Sequence, residues 1–173
     1  MRKTGLLLLC LLFIQLFFSC NKTDDGAYTA PITVYEKIAG SWTVSSVKET
    51  DLIAKAAGAK PNQLTLTSKL NFKTFTITFD VDENNNPTTF AVGGTSPALF
   101  LQSGYWKLSN PYPNTDGSAL VIELYSDEAK TTLVDELSLS ALPGTRKTMT
   151  FDLIRESNGV SFVDYEYSVK AKI

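Results

Sequence analysis

The chain has 173 residues, with 16 Lys and Arg against 18 Asp and Glu, no histidine and two cysteines. Without histidine there is no Ser–His–Asp triad, and the usual general base and commonest zinc ligand are missing; a mildly acidic chain also has no electrostatic reason to bind nucleic acid. Both cysteines lie in the first twenty residues, so no disulfide staples the remainder and its core must hold it alone.

The elements follow in chain order. Arg2 and Lys3 precede an apolar run, Leu6 to Phe18, broken only by Gln15, with Cys10 inside it as filler. A run of that length spans about 20 Å as helix against about 30 Å of bilayer hydrocarbon. Residues 1–19 therefore read as a cleaved export signal. Its removal takes away two basic residues and no acidic one, leaving 14 against 18 and a formal charge of −4. Residues 20–33 read as a polar tether ending near Pro31, and 34–173 as one domain. Val34–Ala39 and the Ala-rich Leu52–Gly58 are short helix candidates, the second ended by Gly58 and Pro61. Everything else reads as strand: Ser41–Glu49, Lys73–Val81, Thr88–Val92, Gly104–Leu108, Ala119–Tyr125, Thr131–Leu139, Thr148–Arg155 and Val160–Val169. The clearest is Lys73–Val81, with Phe75, Ile77, Phe79 and Val81 on one face and Thr74, Thr76, Thr78 and Asp80 on the other. Asn158-Gly159 is a two-residue hairpin signal. Short turns leave no room for parallel crossovers between the later strands. The expectation is an all-β fold, an eight-stranded antiparallel up-and-down barrel, with an immunoglobulin-like β-sandwich as the alternative.

Four resemblances sharpen this reading. Ser19-Cys20 at the end of the apolar run resembles the lipobox of bacterial lipoproteins, although Phe17 and Phe18 replace its usual Leu and small residue. The resemblance implies diacylglycerol and further acylation on Cys20, and two or more chains anchor a protein stably. Lys22-Thr23-Asp24-Asp25 resembles the acidic tag of surface lipoproteins in Bacteroides-type bacteria, implying an outer-membrane, cell-surface location with a periplasm-facing position as the alternative. Gly40-Ser41-Trp42 resembles the Gly-x-Trp of lipocalins, whose Trp plugs the closed end of an eight-stranded barrel beneath a cation from a late strand. The run Tyr35 to Val44, with Phe79-Asp80-Val81-Asp82, Pro87-Thr88-Thr89-Phe90 and Val163-Asp164-Tyr165-Glu166-Tyr167, is similar to uncharacterised lipocalin-like lipoproteins of the same bacteria. The resemblance implies a barrel-closing set of Gly40, Trp42 and Arg155. Arg155 sits one strand earlier than the family's cation, so either Lys170 or Lys172 stands in or the contact is absent.

Carboxylates are the remaining catalytic chemistry. Asp80/Asp82/Glu83, Asp127/Glu128, Asp135/Glu136 and Asp164/Glu166 are the pairs, of which Asp164 and Glu166 share a strand face at a spacing compatible with glycoside hydrolysis. An alternating acidic face on a terminal strand is ordinarily the solvated side, so no catalytic residue and no enzyme is expected. Asp80, Asp82, Asn84 and Asn86 offer oxygens at alternate positions, as calcium loops do, but Asn85 and Ala91 stand where such loops need Gly and a bidentate Glu. A hairpin turn is the favoured reading, and no cofactor or metal is expected. Among the aromatics, Trp106, Tyr105, Tyr112, Tyr165 and Tyr167 are candidates to meet a ligand. Three functions compete: a tethered, non-catalytic binding module for a small apolar or amphipathic molecule or glycan in the barrel mouth; a packed surface lipoprotein docking on an outer-membrane protein; and a carboxylate hydrolase. An apolar void of about 300 Å³ or more favours the first, and a filled interior favours the second.

Overall fold

The computed structural model describes residues 30–172. The export signal, the lipobox, Cys20 and the Asp24-Asp25 tag lie outside the described residues. Thr33 starts the first helix with a capping box: its Oγ1 accepts the Glu36 N–H at 3.3 Å, and Glu36 Oε2 accepts the Thr33 N–H at 3.2 Å. This helix, α1 (Val34–Ile38), buries Val34 and Ile38. Strand β1 (Gly40–Asp51) follows; a bulge between Val44 and Ser46 lets Trp42, Val44 and Val47 all face the core. Asp51 caps α2 (Leu52–Ala56), its Oδ1 accepting the Ala54 N–H at 2.8 Å.

The next segment differs from expectation. A short strand, β2 (Gln63–Thr65), and a 3₁₀ turn at Phe72–Thr74 precede β3 (Thr76–Val81). The alternation from Lys73 begins inside that turn, because Phe72 and Phe75 are both drawn inward there. The remaining strands are β4 (Pro87–Gly93), β5 (Ser103–Leu108), β6 (Leu120–Tyr125), β7 (Leu133–Ala141), β8 (Thr148–Ser157) and β9 (Val160–Ala171). Strand β7 starts two residues later than expected. Thr131 and Thr132 are held in the preceding turn by Asp127, whose Oδ2 accepts the Thr131 N–H at 3.0 Å and Oδ1 the Thr132 N–H at 2.6 Å. The Asn158-Gly159 hairpin forms with both residues at positive φ, 51° and 75°, as a primed two-residue turn requires.

Each strand from β3 to β9 pairs antiparallel with the next, and β9 returns to β1 from Trp42↔Ala171 to Asp51↔Val163. The sheet is thus a closed eight-stranded barrel of β1 and β3–β9, and the sandwich alternative is excluded by that closure. The other edge of β1 is shared: Gly40–Thr43 pairs with β3 and Lys48–Thr50 with β2. One end of the barrel carries α1 and the turns 82–86, 109–119 and 142–147. The other carries 52–75, the loop 94–102, the turn 126–132 and the β8–β9 hairpin.

Both ends are filled. At the α1 end, Trp42 is buried and its Nε1 donates to the Ile38 carbonyl at 2.7 Å. At the far end, the loop 94–102 folds across the mouth as a strap and buries Phe100, while the 52–75 segment contributes Leu66, Phe72 and Phe75. These rings meet Phe151 and Tyr167 from the wall. Phe151 stacks on Tyr167 at 5.1 Å and 12°, Phe75 lies 5.0 Å from Tyr167, and Phe100 packs edge-on to both at 6.4 and 6.0 Å. An eight-stranded barrel is just wide enough for side chains to fill it, and here they do.

Candidate functional site

The strap begins at Gly94, whose φ of +99° and position against Thr74 admit no Cβ; an added carbon would lie 2.3 Å from the Thr74 carbonyl oxygen. Thr74 Oγ1 accepts the Thr95 N–H at 2.9 Å, fastening the strap's start to the 3₁₀ turn. Its far part is held from the other wall. Leu101 N–H donates to Asp135 Oδ2 at 2.8 Å, Arg155 Nη1 donates to Asp135 Oδ1 at 2.8 Å, and Arg155 Nη2 donates to the Leu99 carbonyl. Asp135 is buried and its charge is matched by the half-exposed guanidinium.

Arg155 is therefore not the cation over Trp42. In the register of β8, β9 and β1, Arg155 faces Val163 and Val163 faces Asp51, whereas Trp42 faces Ala171. The two residues sit at opposite ends of the barrel. Lys170 and Lys172 make no cation–π contact either; among the described residues the one present is Lys107, 5.1 Å from the Tyr125 ring centroid. Gly40 takes a positive φ of 110° at the head of β1, with open space on its Cβ side.

The aromatic candidates divide. Trp106 is fully buried, donates Nε1–H to the Asp80 carbonyl at 2.9 Å and packs on Tyr35 and Phe79 at 5.6 and 4.9 Å. Tyr167 is buried in the ring cluster, and burial holds its hydroxyl pKa well above the ordinary value. Tyr165 lies partly buried beside it. These are core residues. Tyr105 is half-buried, opposite Thr89 and Tyr125. Tyr112 is exposed on the β5–β6 loop, where Asn110 Oδ1 accepts its N–H at 3.2 Å. The structure does not bring the five together.

The acidic candidates are also dispersed. Asp82 closes the β3–β4 turn: Oδ1 accepts from the Asn84 and Asn86 N–H groups, both at 2.8 Å, and Oδ2 from Asn86 Nδ2 at 2.9 Å. The Asn86 side chain, then its backbone N–H, lower the Asp82 pKa. Asp80 Oδ2 accepts from Thr89 Oγ1 at 2.9 Å. Oxygens spent this way make a turn rather than a calcium loop, and no group of three or more acidic, His or Cys ligands gathers among the described residues. Asp164 and Glu166 lie on the outer face beside Asp152. Glu166 pairs with Lys48 at 3.0 Å, while Asp164 is raised in pKa by burial, then by Asp152 and Glu166.

Two surface features are left. In the wall, β7 and β8 pair only through Ser138↔Asp152, Leu139↔Phe151 and Ala141↔Thr150. Below Ser138 they pair no further, and an opening of about 460 Å³ is lined by Leu133–Glu136 and Ser138 on one strand and Leu153–Glu156 on the other. Its rim carries Leu133, Val134 and Ile154, exposed by 46, 47 and 44%. Its floor is the Arg155–Asp135 pair. At the α1 end, an open pocket of about 380 Å³ lies over Trp42, lined by Lys37, Lys147 and Lys172 among others. Sequence reasoning missed the strap and both features. The apolar run Leu99-Phe100-Leu101 inside a loop after Pro97 was the one available signal.

The family described as Domain of unknown function (DUF5004) matches residues 19–170. No curated protein matches the chain. Among solved structures, lobster apocrustacyanin A1 and apocrustacyanin C2 are each 17% identical to it with a TM-score of 0.36; the match covers 79% of this chain and 61% of theirs. The chain thus spans less than two thirds of the length of those proteins.

Proposed function

We propose that this chain, which belongs to the DUF5004 family, is a lipid-tethered, non-catalytic docking module whose barrel is a filled scaffold and whose β7–β8 opening receives an extended peptide segment of an outer-membrane protein. The observation that carries the reading is the filled interior: Phe72, Phe75, Phe100, Phe151 and Tyr167 occupy the space a ligand in the mouth needs. Recognition then falls to the outside. Strand edges without a neighbour are templates for adding one, with backbone hydrogen bonds for affinity and side-chain contacts for selectivity. Leu133–Leu137, paired on its other side with β6, and Leu153–Ser157, paired on its other side with β9, each leave such an edge open toward the other. The exposed Leu133, Val134 and Ile154 supply apolar contacts, and exposed Glu136 and Glu156 on the rim favour a peptide with flanking basic residues. The tether and its acyl chains on Cys20 supply the membrane attachment in this reading.

The test is photo-crosslinking in cells that express the full chain. A photoreactive residue at Val134 or Ile154 is expected to give one discrete adduct with a membrane protein, mapped to an extended stretch bearing basic residues, whereas the same residue at Tyr112 gives none. Adducts at Tyr112 alone, or none at any position, would sink the reading. So would an apolar small molecule retained by the purified protein in native mass spectrometry.

A further inference from the structure

We infer that the pocket over Trp42 is an anion site that takes a phosphate group. Three lysines far apart in the chain line it: Lys37 from α1, Lys147 from the β7–β8 turn and Lys172 just past the end of β9. The backbones at Lys147 and Lys172 are held beside β9 and β1. Ala171 N–H donates to the Lys147 carbonyl at 2.9 Å, and Lys172 N–H donates to the Ser41 carbonyl at 2.8 Å, beside Trp42. Among the described residues none of the three has a carboxylate within ion-pair distance; the pairs present are Lys48–Glu166, Lys107–Glu123 and Arg155–Asp135. The one acid in the lining, Glu36, is a single carboxylate against three lysines, and its oxygens are turned to neutral donors. Its Oε2 accepts the Thr33 N–H, and its Oε1 accepts Asn85 Nδ2 at 3.0 Å.

The pocket is therefore lined by three lysines that have no carboxylate partner among the described residues, together with Trp42, Ala39, Pro143 and Ala171. Three point-charge donors suit an anion with three free oxygens, and charge-assisted contacts of this kind are the strong ones. The apolar part of the lining suits a ligand that continues into a less polar body. Phosphate on a lipid headgroup and free inorganic phosphate share this chemistry. The chain enters the barrel at this end, through Thr33 and α1. The site is at the opposite end from the β7–β8 opening and shares no residue with it, so either can fail alone.

Lysine acetylation footprinting of the full acylated chain separates the outcomes. One arm adds inorganic phosphate to protein in neutral detergent; the other transfers protein from phosphatidylcholine vesicles to vesicles containing phosphatidylglycerol, without free phosphate. Acetylation of Lys37, Lys147 and Lys172 is expected to slow by about threefold or more once phosphate exceeds a dissociation constant on the order of 1 mM. Lys55, Lys69 and Lys73 at the far end keep their rates. Protection in both arms, or in the phosphate arm alone, supports a site for the free anion. Protection in the vesicle arm alone supports a headgroup site. The double variant K147Q/K172Q should lose the protection of Lys37 while unfolding at the same urea concentration as the parent. No protection in either arm, equal protection of all lysines, or the same protection from sodium chloride at matched ionic strength overturns the inference.

Discussion

Asp127 shows how much one exposed side chain does at a turn. Both its oxygens accept N–H groups of Thr131 and Thr132, and these bonds, the Thr131 backbone bond foremost, lower its pKa from 3.8 to about 2. A depressed folded-state value means the ionised form favours the fold. That contribution is complete above the unfolded value and disappears as pH falls from about 3.8 to about 2. In D127N the loss of stability across this window should be shallower, read from urea midpoints at each pH. Asp164 works in the opposite sense. Burial raises its pKa, and its Oδ1 is buried without a hydrogen-bond partner among the described residues. The ionised form is disfavoured in the folded state, so stability rises as pH falls through the raised value. D164N should therefore raise the urea midpoint at pH 7, and the gain should shrink in acid. A variant no more stable than the parent at neutral pH would refute this account of the buried oxygen.

At the scale of elements, the strap 94–102 is tied to the barrel by one charged residue on each of β7 and β8. Arg155 holds Asp135 and the Leu99 carbonyl, and Asp135 holds the Leu101 N–H. Truncating Arg155 to Met leaves a buried carboxylate with its charge unmatched, a change that costs about 3–5 kcal/mol when both partners are buried and about 1–3 kcal/mol where, as here, the guanidinium is partly exposed. Changing Asp135 to Asn in the same chain removes the unmatched charge. R155M is thus expected to be less harmful on the D135N background than alone, with a coupling of about 1 kcal/mol or more in a double-mutant cycle. Additive effects would show that the pair does not act as a unit. The same pair forms the floor of the β7–β8 opening, so a folded R155M should also weaken crosslinking from Val134.

For the whole molecule, closure matters more than any one strand. The β8–β9–β1 seam is long, ten paired positions for β8–β9, whereas β4–β5 and β7–β8 pair at three positions each. Side chains crossing the interior supply what those short ladders do not. Phe100 is the clearest case, since a loop residue closes the mouth. F100A is expected to cost about 3–5 kcal/mol, as large-to-small changes of a buried Phe do. It should also open an apolar cavity that takes up xenon. Xenon uptake by the parent protein, seen by ¹²⁹Xe NMR, would instead show that the interior is already hollow.

The strands and their inward faces were legible in the sequence because a pleated strand half-buried on a core must alternate, and Ile77/Phe79, Leu120/Ile122/Leu124 and Met149/Phe151/Leu153 do. The turn chemistry of Asn158-Gly159 was legible because few residues adopt positive φ. Absence of histidine was equally plain, and with it the chemistries that need one. Tertiary structure alone decided the rest. Whether the mouth is open depends on where Phe100 goes, and a loop has no periodicity to announce it. Arg155 could be assigned to either end until the register of β8 against β9 and of β9 against β1 fixed its height on the wall. Lys37, Lys147 and Lys172 become neighbours only because closure brings the end of the last strand beside the start of the first. Local pattern reports the direction a side chain faces; long-range pairing sets its height and its neighbours, and a binding site is made of both.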